Sequence, residues 1–175
     1  MLNHKNSIKK YLKITFCLTF FLNISFSVQA DRLTMLQKAE QEKSSRKYTK
    51  ANYYYFKILS KNTNDEDALY GLAHSFFRLN QNVRALTEVN KLLDLNSSNE
   101  KALGLRAMIN VQNQLWNNVL SDASHILEIN PVNAQAYIYL DNAYTALGNQ
   151  AAADEALKQY RQIKEMEKNI NSDDL

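Results

Sequence analysis

The chain repeats itself every 34 residues without an insertion, and that period fixes which architectures remain open to it. Ala68, Ala102 and Ala136 share one column, and Met35, Leu69, Leu103 and Tyr137 share the next. Ala39, Ala73 and Ala107 fall in another column, which continues with Asp141. Ala51, Ala85, Val119 and Ala153 align, as do Ile58, Leu92, Ile126 and Tyr160. Within a unit the apolar spacing is helical: Leu69, Leu72, Ala73 and Phe76 step by three, one and three onto one face. Ala85, Val89, Leu92 and Leu93 do the same for a second helix, with the polar turn Asn80-Gln81-Asn82 between them. The spacing predicts helices over 33–45, 48–61, 66–79, 82–95, 100–113, 116–129, 134–147 and 150–167. Three glycines and one proline in 175 residues could not supply the tight turns of a β-sandwich or a doubly wound sheet. A run of helices needs far fewer.

The unit resembles a tetratricopeptide repeat (TPR), a 34-residue helix–turn–helix. The fourth copy carries the pattern best, with Tyr137, Leu140, Tyr144, Gly148, Ala153, Leu157 and Tyr160. The second has Leu69, Leu72, Ala73, Phe76, Ala85, Val89 and Leu92. The third keeps Leu103, Ala107, Val119, Ala123, Ile126 and Pro131 but departs at Arg106 and Asn110. The first is weakest, with Lys38 and Glu42 in columns that are apolar elsewhere. The resemblance implies an all-α, right-handed α-solenoid of four units, about 32–65, 66–99, 100–133 and 134–167. Residues 31–168 would form this domain, and residues 169–175 a polar tail. A single hairpin cannot bury its apolar face, whereas stacked neighbours bury it between them, and small residues at the Ala columns let helices approach closely.

The first thirty residues read as an address. Lys5, Lys9, Lys10 and Lys13 precede an apolar run from Ile14 to Val28, and Val28-Gln29-Ala30 offers small residues where a signal peptidase reads. The run is shorter than the roughly 20 residues of a permanent membrane helix. This layout predicts a signal peptide over residues 1–30, cleavage between Ala30 and Asp31, and a periplasmic protein with no stable membrane span afterwards. Retention as an uncleaved anchor is the competing reading. Cys17 lies inside the apolar run, behind Phe16, and is filler there rather than a lipidation site. The lysine-rich address looks bacterial, so the sequon-like Asn96-Ser97-Ser98 carries no expectation of a glycan.

Removing the address changes the electrostatics. The whole chain has a formal charge of +3, but residues 31–175 carry 17 basic and 18 acidic side chains. That balance leaves no basic surface for nucleic acid. The same segment has no cysteine. His74 and His125 sit in different helix types of different units, without metal-ligand spacing. No glycine-rich phosphate loop is present. We therefore expect no catalytic residue, no cofactor and no metal, and a protein that is not an enzyme.

The resemblance places a partner-binding groove on the concave side, lined by positions two, five, nine and twelve of each unit. On this chain those positions offer Asp67, Tyr70, His74 and Phe77, then Lys101, Gly104, Met108 and Val111, then Gln135, Ile138, Asn142 and Thr145. Tyr70, Phe77, Met108, Val111 and Ile138 are more apolar than a solvated face requires. Tyr70, His74, Phe77, Met108, Val111, Ile138 and Asn142 are the candidate contacts for a peptide or helix of another protein, held mainly by apolar contact. The alternative is that several of them pack against a neighbouring helix or the signal segment. Relatives that clamp a carboxylate tail use Lys and Asn where this chain has Tyr70, His74, Gly104 and Met108, so that clamp is absent. Tyr53, Tyr54 and Tyr55 must point three ways around a helix, at least one of them inward. The expected role is a non-catalytic scaffold in assembly of an envelope machine: a pilus, a secretion system, outer-membrane machinery or polysaccharide export. A secreted factor acting on a host or extracellular protein, or an accessory subunit of a separately encoded enzyme, are the alternatives. The sequence does not fix the oligomeric state.

Overall fold

A computed structural model describes residues 28–173; most of the signal peptide expected over residues 1–30 lies outside the described residues. Described residues 28–44 form helix α1. Seven helices follow: α2 (Tyr48–Leu59), α3 (Glu66–Arg78), α4 (Asn82–Leu95), α5 (Glu100–Gln112), α6 (Trp116–Ile129), α7 (Ala134–Ala146) and α8 (Gln150–Asp173). From α2 onward each helix packs on the next, and α3 with α5 and α5 with α7 also touch. Odd-numbered helices thus form one layer and even-numbered helices the other, as in an α-solenoid. The core runs unbroken along the stack through Ala39, Tyr55, Leu69, Ala73, Leu92, Leu103, Ala107, Ile126, Ala136 and Ala143. The alanine columns are at most 5% exposed, so the helices meet there without side-chain bulk.

Local chemistry places the helix ends. Asp65, Asn99 and Asn133 are N-caps of α3, α5 and α7, and their side chains accept from the N–H groups of Ala68, Ala102 and Ala136 at 2.9–3.1 Å. The first helix of every unit ends in the same way. The N–H groups of Lys47, Gln81, Leu115 and Asn149 reach back to the carbonyls of Glu42, Phe76, Asn110 and Tyr144, closing four Schellman motifs. The residue before each is left-handed: Arg46, Asn80, Gln114 and Gly148, at φ of 58, 58, 57 and 76°. Only the fourth unit uses the residue type that adopts this conformation without strain.

The N-cap residues also join units. Position one of each unit reaches the cap of the next. Arg32 donates to Asp65 and, at 2.7 Å, to Asp67. Asn99 and Asn96 donate to Glu66 at 3.3 and 3.1 Å, and Asn133 donates to Glu100 at 2.6 Å. Burial alone would raise the Asp65 carboxyl, but the Arg32 guanidinium and the Ala68 N–H hold it below the ordinary carboxylate range.

Two features differ from the sequence expectation. Helix α8 runs to Asp173, so residues 169–173, expected in a polar tail, are helical. Its 24 residues contain no Gly or Pro and many strong helix formers, and nothing in the sequence stops it. Helix α1 is already helical at Val28, and the backbone passes through Ala30 and Asp31 without a break. Asp31 there pairs with Lys61.

The departure of the third unit has a packing explanation. Arg106 and Asn110 replace the Leu and aromatic residues of the second and fourth copies, and both meet Asp122, which is 2% exposed. Arg106 contacts both Asp122 oxygens at 2.6–3.2 Å and donates to Asn90 at 3.0 Å, while Asn110 donates to Asp122 at 3.3 Å. A buried carboxylate is tolerable only with such partners. The substitutions therefore form one compensated polar cluster between α4, α5 and α6.

Candidate functional site: the concave groove

The odd-numbered helices expose their unit positions two, five and nine along one side of the stack, because residues three and four apart share a helix face. A cavity of about 630 Å³ opens there, lined by α1, α3, α5 and the junction between the second and third units. Leu36, Glu40 and Lys43 come from α1, Glu66, Asp67 and Tyr70 from α3, and Glu100 and Lys101 from α5. Asn96 and Asn99 form the junction side and are already committed to Glu66.

Of the seven candidate contacts, Tyr70 lines this cavity. Tyr70, Phe77, Met108 and Val111 are all half-buried and pack against the core cluster. Ile138 is half-buried and Asn142 exposed on α7, beyond the cavity wall. His74 stands beside Tyr70 with ring centroids 6.3 Å apart, and its Nδ1 is buried without a hydrogen-bond partner. Burial, then Lys43 and Arg78, push the His74 imidazole below its ordinary value, against a smaller pull from Glu40. Burial and the nearby Glu40 raise the Tyr70 phenol, which is therefore a neutral hydroxyl at any physiological pH.

Sequence reasoning missed the contribution of α1. Leu36, Glu40 and Lys43 lie 34 residues before Tyr70, His74 and Phe77, so the period itself was the available signal. The weak match of the first unit masked it. The cavity is also more charged than the apolar expectation. Glu40, Glu66, Asp67 and Glu100 face Lys43 and Lys101 across it. Glu40 accepts from the Tyr55 hydroxyl at 2.6 Å and pairs with Lys43, which ties the wall of the groove to the core of the first unit.

The three tyrosines divide as helical geometry requires: Tyr53 is exposed, Tyr54 half-buried and Tyr55 fully buried. His125 is half-buried on α6, in the other layer. Among the described residues no group of three or more His, Cys, Asp or Glu is placed to hold a metal ion. No described helix is long and apolar enough to cross a membrane.

No family model and no curated protein matches this chain. Solved structures do. The MamA protein superposes with a TM-score of 0.71 at 19% identity, covering 77% of this chain and 73% of its own. The first TPR domain of human RPAP3 gives 0.63 at 24% identity, over 69% of this chain and 94% of that one. A tetratricopeptide repeat protein from Parabacteroides merdae gives 0.69 at 23% identity; this chain matches 77% of itself to 52% of that protein. The likeness is one of fold, and the fold is the tetratricopeptide-repeat α-solenoid.

Proposed function

We propose that this chain is a non-catalytic protein-interaction scaffold that holds a segment of a partner protein in the groove formed by α1, α3 and α5. The observation that carries this reading is the cavity itself. Three successive first helices contribute to one open trough about 630 Å³ in volume, with Tyr70 in its wall and carboxylates and lysines around it. A trough of that size takes several side chains of a peptide or one face of a helix. A related fold, the first TPR of Spaghetti (RPAP3), is known bound to an HSP90 peptide, SRMEEVD, and superposes with a TM-score of 0.65 at 24% identity. The partner here is of a different kind, because Tyr70 and His74 stand where tail-clamping relatives carry Lys and Asn. We further propose export to the bacterial envelope and a role in assembling an envelope machine, on the strength of the N-terminal address.

Affinity capture from the organism's own envelope extract tests the groove. Tyr70→Ala should lose the captured partner, since truncating a central aromatic contact costs about 2 kcal/mol or more. His125→Ala in the other layer should keep it. Equal capture by a folded Tyr70→Ala protein would refute the groove as the site. Charged walls also make binding salt-sensitive, because charges at an open surface are screened within about 8 Å at physiological ionic strength. N-terminal sequencing tests export: mature protein should begin at Asp31, and a start at Met1 would overturn cleavage.

A further inference from the structure

The chain has three glycines, and the fold accounts for two of them. Gly148 sits at a left-handed φ of 76°, where a side chain would be strained. Gly71 lies against the buried Tyr55 ring, and a Cβ there would fall 2.2 Å from Cζ. Gly104 has neither reason. It lies inside α5, outside the left-handed region, and nothing stands within 4 Å of where its Cβ would be. Glycine weakens a helix interior relative to alanine, so the stack by itself would be steadier with alanine at this position.

Gly104 belongs to the groove. Position five of the four units reads Leu36, Tyr70, Gly104 and Ile138, and α5 touches both α3 and α7. The missing side chain leaves a notch in that row, between Tyr70 and Ile138. Lys101, one turn earlier on the same helix face, lines the cavity already described, so the notch continues that cavity along the groove. Met108, one turn later, closes its other end and is half-buried, as Gly104 is. The floor is the backbone of α5, whose carbonyl at Gly104 accepts from the Tyr139 hydroxyl at 3.3 Å. Tyr139 is 6% exposed. Burial first, and then the neighbouring Tyr70 phenol, raise the Tyr139 phenol against a hydrogen bond with Gln135, so both phenols lie close to Gly104.

The chemistry of the notch selects its occupant. The oxygen at its floor is already met, and Tyr70, Met108 and Ile138 around it present a ring, a thioether and an alkyl group. A charged or amide group pushed onto that floor would leave water without finding a partner. A large apolar side chain has no such loss and gains by leaving water. We propose that Gly104 is a specificity-determining residue of the groove, whose missing side chain admits one bulky apolar side chain (leucine, methionine or phenylalanine) of the partner segment. The inference rests on the groove reading above and adds one requirement to it, a large apolar residue opposite α5. An aliphatic residue at 104, such as its row carries at Leu36 and Ile138, would fill the notch from within. Stability and binding are therefore opposed at this position, a conflict common where a residue is kept for function.

Random linear peptides displayed on phage and selected on the full chain test this. The selected peptides should share one bulky apolar residue, and replacing it by alanine should weaken binding to the unaltered chain by about tenfold. Gly104→Leu should weaken the same peptides by about tenfold and make them indifferent to that replacement, because the notch is then full. Gly104→Ala, with a single added carbon, should fall between the two. Both variants should melt no lower than the unaltered chain. Peptides that need Tyr70 but bind Gly104→Leu undiminished would overturn the notch and leave the groove standing. Peptides indifferent to both Tyr70→Ala and Gly104→Leu would overturn the groove reading and this inference with it. Selected peptides with no shared large apolar residue, or a lower melting temperature for Gly104→Ala, would also overturn the assignment.

Discussion

Two glycines in equivalent helices should respond with opposite sign to the same substitution. Gly71 lies inside α3 and Gly104 inside α5. On helix propensity alone, each Gly→Ala change should stabilise by about 1 kcal/mol. At Gly104 nothing lies within 4 Å of where the new Cβ would sit, so that gain should appear. At Gly71 the Cβ would fall 2.2 Å from Tyr55 Cζ, 2.4 Å from Cε1 and 2.6 Å from the hydroxyl oxygen. Tyr55 is completely buried, and its hydroxyl donates to Glu40 at 2.6 Å, so the ring has nowhere to retreat without breaking that bond. Forcing an extra carbon into a packed site costs about 1–3 kcal/mol. Disturbing a hydrogen bond to a charged acceptor adds about 1.5–3 kcal/mol when it is lost outright. Set against the propensity gain, the net effect of Gly71→Ala is about 1.5–5 kcal/mol of destabilisation. For a domain of this size that lowers the melting temperature by about 5–15 °C, while Gly104→Ala raises it by about 3 °C. Thermal unfolding followed at the helix band measures both. In a Tyr55→Leu background the clash is gone, and Gly71→Ala should become neutral or stabilising. A rise in melting temperature for Gly71→Ala in the unaltered background would refute the close approach of Tyr55 to α3.

Asp122→Ala should cost about 2–3 kcal/mol, below the 3–5 of a fully buried pair because the Arg106 side chain is 30% exposed. Restoring the residues of the neighbouring units together, as Arg106→Leu, Asn110→Phe and Asp122→Ala, should recover that loss in urea denaturation; a triple variant weaker than Asp122→Ala would contradict the compensated cluster. Gln114→Gly should stabilise by about 0.5–1 kcal/mol, since it removes a side chain from the left-handed φ of 57°, and a loss of stability would show that the Gln114 side chain matters more than its backbone. The depressed His74 pKa means that the unfolded chain binds the proton more readily than the folded one. Stability should therefore fall as pH drops below about 6.5, and His74→Gln should flatten that part of the profile. A profile unchanged by the substitution would refute it.

The period in the sequence carried the architecture because everything it encodes is local. Helix periodicity, the Asx caps at Asp65, Asn99 and Asn133, and the small residues of the Ala columns act within a few positions of themselves. Their recurrence at 34 residues says how neighbours stack. The same period places Tyr70 on the wall of the cavity, whereas Leu36, Glu40 and Lys43 come from a first unit whose apolar columns have eroded. What the period could not show is how a column changes when its neighbour across the packing interface changes with it. Arg106 and Asn110 looked like decay until Asp122 was found 12 to 16 residues away. Helix propensity alone makes Gly71 a weak position, and only the packing of the Tyr55 ring against it gives the glycine a reason. The position of Phe77, Met108 and Val111 between groove and core, and the charge that balances the apolar wall at Tyr70, were decided the same way. These are matters of side-chain contact between segments, and only the packed structure brings such segments within reach of each other.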